Sequence, residues 1–221
     1  MAELRIQSAS IVLRGSLNPA IFHPAWFERH GLLRSAEADA AKISVVSPQI
    51  TSFTTEWLEL QVTQDRFQAE TSQEAYNESL RDLISGAFEL LSHTPVKQKG
   101  LNRHFHFLMA SESRWHSVGN LLAPKEPWRG ILDTPGMQSL TMKGTKPKEE
   151  KGYVRVTVEP SNRVSPGVYI AVNDHYELDD VEDKSTAGTA LALQFLKARW
   201  VDSMQKSRAI ADTIVEKGET T

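Results

Sequence analysis

The chain has 221 residues, no cysteine, and 25 basic against 28 acidic side chains, for a formal charge of −3. Without cysteine it has no disulfide framework, no thiolate metal or iron–sulfur site and no thiol nucleophile. The slight acidity argues against bulk attraction to nucleic acid or anionic membrane, while an apolar content of 40% is enough to build a core.

In chain order, Arg5–Leu13 reads as a strand and Asn18–Ala20 as a turn. Pro24–Leu33 reads as a short amphipathic helix, with proline at its first position and Gly31 near its end. Ile43–Phe53 is mostly β-branched, and Pro48 gives it an edge or bulge character. Trp57–Val62 alternates, with Leu58, Leu60 and Val62 on one face and Trp57, Glu59 and Gln61 on the other. Gln64 and Asp65 turn the chain into Phe67–Thr71 as a hairpin partner. Glu74–Leu91 repeats apolar residues at three- and four-residue steps and predicts a helix, followed by a basic linker at Lys97–Gly100.

The second half gives a strand at Asn102–Met109, a short helix at Ser111–Leu122, and strands at Met137–Lys143, Tyr153–Glu159 and Val168–Asn173. Gly144–Gly152 is a charged loop and Pro160–Gly167 a turn. Thr186–Glu216 reads as a long helix, striped by Leu193, Leu196, Trp200, Met204, Ile210 and Ile214, whose end at Ser207–Lys217 is expected to overhang the sheet. Each half therefore reads as strand, short helix, three strands, long helix. The expected fold is α+β: one compact domain over 1–221, with two similar β-α-β-β-β-α halves (pseudo-repeats at 1–96 and 101–217) sharing an antiparallel sheet packed by two long helices.

No segment reaches the roughly 18 uncharged apolar residues of a membrane span. MAELRIQSAS carries Glu3 and Arg5 and no apolar h-region, so it is not a secretory signal. Together with the missing cysteines, this predicts a cytoplasmic location and no membrane contact. The runs NPAIFHPAWFERHGLL, EWLELQVTQDRFQAETSQEAY, LNRHFHF, WHSVGNLLAPKEPW and GVYIAVNDHYEL resemble a sporadically distributed bacterial family of uncharacterised proteins. That resemblance covers most of the chain and implies a duplicated α+β organisation and an accessory role in the bacterial cytoplasm. It supplies no catalytic residues.

Several side-chain groups are candidates for chemistry. In RHFHF, His104 and His106 share a strand face, and with His116 as a third ligand they form a candidate site for a divalent metal. The bland alternative is a pair of imidazoles on a solvated face. The run ELDDVED holds five carboxylates, at Glu177, Asp179, Asp180, Glu182 and Asp183, without the glycine of a calcium loop. It reads as a helix-dipole partner or as an acidic surface for a basic partner. Asp174 and His175 are adjacent, so on a strand they point apart and form no acid–base pair. There is no GxSxG, no GxxxxGK[ST] and no GxGxxG.

Trp26, Trp115 and Trp200 fall on apolar helix faces and belong to the core, whereas Trp57 and Trp128, with Arg129 beside the latter, are candidates for a partner surface. Lys97, Lys99 and Arg103, and Lys143, Lys146 and Lys148, are local basic clusters that offer nucleic acid a place to dock. The leading expectation is a non-catalytic binding or assembly protein that engages a protein partner or a second copy of itself, with no cofactor. The alternatives are a metal-dependent enzyme built on His104 and His106, and a small-ligand or nucleic-acid module.

Overall fold

The computed structural model describes residues 2–147, 150–178 and 187–220. The chain runs β1 (Glu3–Gly15), α1 (Pro24–Arg29), α2 (Ser35–Asp39), β2 (Lys42–Val46), β3 (Ile50–Thr54), β4 (Glu59–Thr63), β5 (Arg66–Thr71), α3 (Asn77–Leu90), β6 (Val96–Leu108), α4 (Glu112–Leu122), β7 (Leu140–Thr145), β8 (Gly152–Pro160), β9 (Gly167–Glu177) and α5 (Ala187–Thr220). Among the described residues the strands form one antiparallel sheet in the order β2-β3-β4-β5-β1-β6-β9-β8-β7. The long strands β1 and β6 pair along their length at its centre. This is the α+β architecture expected from the sequence.

Two departures from the sequence reading change how the sheet is built. Ile43–Phe53 is two strands, because the Ser47 hydroxyl accepts hydrogen bonds from the Gln49 and Ile50 amides and turns the chain at Pro48. Four strands therefore follow β1, against three after β6. Lys97–Gly100 is not a linker. It is the start of β6, paired with β1 on one side and β9 on the other, and hydrogen bonding on both edges outweighs its basic composition.

The alternation of each strand sends apolar side chains to one face, where the helices lie. One core cluster gathers Ile11, Leu60, Phe67, Leu80, Phe88, Leu196 and Trp200. Phe67 meets Phe88 edge-on, with centroids 5.1 Å apart, and each such buried ring contributes about 1.5–3 kcal/mol. The second cluster joins Phe105, Phe107, Val168, Ile170 and Val172 to Val118 of α4 and to Ala211 and Val215 of α5. The C-terminal part of α5 is thus packed rather than overhanging: Ser207, Ala211 and Val215 are buried, because α4 supplies the partner helix. Gly188 permits the start of α5 to meet β6, since a Cβ there would lie 1.9 Å from the Val96 carbonyl oxygen. No helix among the described residues is long and apolar enough to cross a membrane.

Candidate binding face

The second face of the sheet carries the polar half of the alternation. On β1 these residues are Ser8 and Ser10; on β6, Asn102, His104 and His106; on β9, Tyr169, Asn173 and His175. The helices' buried side chains belong to the two clusters on the opposite face. His104 and His106 do share a face, as the two-residue spacing requires, and Phe105 and Phe107 are buried on the other.

Register places these side chains in rows across the strands. One row runs Glu70–Ser10–Asn102–Asn173–Arg155. Within it the Asn173 amide donates to the Asn102 carbonyl oxygen, and the Asn102 amide donates to Ser10 Oγ at 3.2 Å. Beyond the row of Ser8, His104 and Ala171, His106 sits beside Tyr169, with ring centroids 4.8 Å apart. His104 Nδ1 lies 2.6 Å from the Tyr169 hydroxyl. At the far end His175 stacks on Tyr153 at 4.4 Å, and its Nε2 donates to Glu177 at 2.7 Å. Two shallow cavities open on this face, of about 590 Å³ beside His104, His106 and Tyr169, and about 330 Å³ beside Tyr153, Asn173 and His175. Arg66 and Asn102 line both.

The surroundings of His104 and His106 disfavour their charged forms. Burial lowers the pKa of His104, with Arg103 adding to the effect and Glu70 opposing it. Burial, Arg163 and His104 together lower His106. Burial and the carboxylates Glu159 and Glu70 raise the Tyr169 phenol. A phenol raised in this way is a poorer acid at neutral pH, so the His104–Tyr169 contact is a neutral hydrogen bond rather than an activated pair.

At His106 the tautomer follows from the hydrogen-bond pattern. Ser161 Oγ accepts from the Arg163 and Val164 amides, both at 3.1 Å, and its remaining capacity is a proton donated to His106 Nδ1 at 2.8 Å. The ring proton of His106 is then on Nε2, where a metal would have to displace it.

His116 stands apart from this pair, on α4 over the helix-covered face, beside a small cavity lined by Trp115, Met137 and Val168. The sheet lies between it and the two strand histidines, so the three do not converge. Among the described residues no cluster of three or more His, Asp or Glu side chains is arranged to hold a metal ion.

Trp57 is not a surface residue. It is buried, its indole N–H donates to Glu37 Oε1 at 3.0 Å, and its ring stacks on Tyr76 at 5.1 Å. It lies in the turn before β4, so strand alternation did not govern it.

Trp128 is 48% exposed, and Ile131 and Leu132 beyond it are 70% and 53% exposed. The Ile131 and Leu132 amides both donate to the Trp128 carbonyl oxygen at 3.1 Å, so one backbone turn presents all three side chains. Arg129 is held near Glu126 at 3.5 Å. Of the acidic run, Glu177 accepts from His175 and Gln98, and Asp179, Asp180, Glu182 and Asp183 lie outside the described residues.

Of the basic clusters, Lys97 and Lys143 are exposed, whereas Lys99 and Arg103 are buried on the helix side and the Lys146 side chain is only 5% exposed; Lys148 lies outside the described residues. Lys146 pairs with Asp174 at 2.5 Å, and Asp174 also accepts from the Tyr176 hydroxyl at 3.3 Å. Lys99 lies over the Tyr176 ring at 4.5 Å, and its ammonium has no hydrogen-bond partner. Burial, only partly offset by Asp174, pushes the Lys99 amine down to about 7. This buried group was hidden in the sequence because KQKG reads as a solvated linker. The available signal was the alternation that continues from Lys99 through Leu101 and Arg103 to Phe105.

No family model matches the chain, and no curated protein matches it. Among solved structures, the crystal structure of DynU16, a protein of the dynemicin biosynthetic locus, is 13% identical over 90% of this chain and 96% of that one, with a TM-score of 0.26. A likeness at that score carries no argument about fold or function.

Proposed function

We propose that this protein is a non-catalytic binding protein that engages a protein partner through the apolar loop between α4 and β7. The observation that carries this reading is the exposure of Trp128, Ile131 and Leu132 from a single turn, in a chain whose Trp57 and Trp200 are buried. Apolar side chains grouped in this way mark contact sites, and tryptophan and arginine are the residue types most enriched among binding anchors. The loop leads into β7, which among the described residues is an edge strand with one unpaired side and with Met142 exposed.

The test is a photo-crosslinking residue placed at Leu132 in the full chain in its native host, with Lys197 on the exposed side of α5 as the control position. A defined adduct from position 132, absent from position 197 and abolished by Trp128→Ser with Ile131→Ser at unchanged Tm, supports the reading. An adduct at twice the chain mass identifies the partner as a second copy. No adduct, or equal adducts from both positions, overturns it.

A further inference from the structure

On the helix-covered face, strand alternation places Arg103 between Leu101 and Phe105, where packing calls for an apolar residue. Its guanidinium lies over the Phe105 ring at 4.9 Å. Nη1 donates to the Met204 sulfur at 3.3 Å and Nη2 to Gln7 Oε1 at 2.8 Å, while Nε has no partner. Among the described residues no carboxylate lies within ion-pair distance of it. The nearest link to one runs through Gln7, whose amide donates to Glu74 at 2.8 Å. Arg14, Arg81, Arg199 and Arg208 are all more exposed, and each holds a carboxylate directly. Arg103, the one arginine that is buried among the described residues, thus has no direct counter-charge, although a buried cation is the one that most needs it.

Arg103 lines a cleft of about 500 Å³ between the start of α3 and the middle of α5. Trp200, Val201 and Met204 make one apolar wall, and Asn77 and Gln205 add amides. The volume lies in the range of small-molecule sites, and an apolar wall with a few fixed polar groups is their usual composition. We infer that this cleft is a binding site for an organic monocarboxylate, its carboxylate on the Arg103 guanidinium and its apolar body along Trp200, Val201 and Met204.

A guanidinium suits a carboxylate because its planar N–H fork matches two oxygens. Arg208 also lines the cleft but is held on Asp212, which leaves the carboxylates of Glu74 and Glu78. Their negative charge disfavours a dianion such as phosphate, which narrows the ligand to a single carboxylate. The site lies apart from the apolar loop and does not depend on the proposed partner.

The test uses the full chain and phenylacetate, with neutral phenylacetamide and inorganic phosphate as controls. Binding is followed by the Arg103 Nε–H resonance and by the Trp200 indole resonance. Phenylacetate is expected to saturate and to move both signals, and Arg103→Met to weaken it by about tenfold or more, the loss of a charged hydrogen bond. Ala209→Trp, which fills the cleft from its solvent side and leaves Arg103 intact, is expected to abolish binding at unchanged Tm. It keeps the test decisive if Arg103→Met fails to fold. Equal binding of phenylacetamide, tighter binding of phosphate, unchanged affinity in both variants, or no saturable binding of phenylacetate overturns the inference.

Discussion

Lys99 and Arg103 lie on the same face of the same strand, one turn of alternation either side of Leu101, and both are buried. Their surroundings nevertheless answer the same problem differently. Lys99 is sealed among Tyr176, Lys146 and Asp174, and burial pushes its amine down to about 7. Arg103 faces a cleft of about 500 Å³ and is relayed through Gln7 to Glu74. The difference follows from the two side chains. An amine can shed its proton and become a tolerable core group, whereas a guanidinium stays charged at any ordinary pH and keeps its need for a polar neighbour. A closed site is therefore available to the lysine and an open one is required by the arginine.

The largest expected effect breaks the closed region. Asp174 is the carboxylate against Lys146 and the one whose charge does most to support Lys99. Asp174→Asn leaves two buried amines without it, and a buried pair broken on one side costs about 3–5 kcal/mol. Urea unfolding at pH 7 reads this directly. A loss well under 1 kcal/mol would mean that water reaches both amines and that the region is as open as the Arg103 cleft.

Replacing the cation itself reverses the sign. Lys99→Met keeps the stem and removes the charge, so a gain in stability of about 1–4 kcal/mol is expected at pH 6, the range for swapping buried ions for apolar groups. The folded value of about 7 lies below the ordinary 10.5. Between those two values the unfolded chain holds the extra proton, so wild-type stability rises with pH through that window, and the cost of the charge is full below it. Lys99→Met removes this rise. Denaturation curves from pH 6 to 10 compare the slopes, and equal slopes for wild type and variant would show that Lys99 does not titrate there.

Much of this architecture was legible in the residues. The apolar steps at Leu80, Leu83, Ile84, Ala87 and Phe88 define α3, and the alternation around Phe105 and Phe107 assigns the two faces of β6 and puts His104 beside His106 on the uncovered one. What was not legible depends on distant partners. Trp57 is buried because Glu37 and Tyr76 come to it from other elements. His116 is separated from the strand histidines by the sheet itself, which no spacing along the chain reveals. Lys99 and Arg103 read as solvated bases because composition registers charge before it registers position. The tautomer at His106 rests on a turn at Ser161 and has no signature in RHFHF.

The smallest effect sharpens the open region. Gln7 accepts from Arg103 and donates to Glu74, both at 2.8 Å. Gln7→Leu removes both bonds, and a charged donor left unsatisfied costs about 1–3 kcal/mol. The cleft brings water or an anion to the guanidinium, so the expected loss sits at the low end of that range and shrinks further when phenylacetate is added. Gln7→Glu gives Arg103 a carboxylate of its own. It is expected to weaken phenylacetate binding, because the internal carboxylate occupies the fork, while its repulsion from Glu74, which the Gln7 amide held at 2.8 Å, offsets the gain in stability. If Gln7→Leu instead costs as much as Asp174→Asn and phenylacetate restores none of it, Arg103 is sealed like Lys99, and the contrast between an amine that can discharge and a guanidinium that cannot does not explain the two sites.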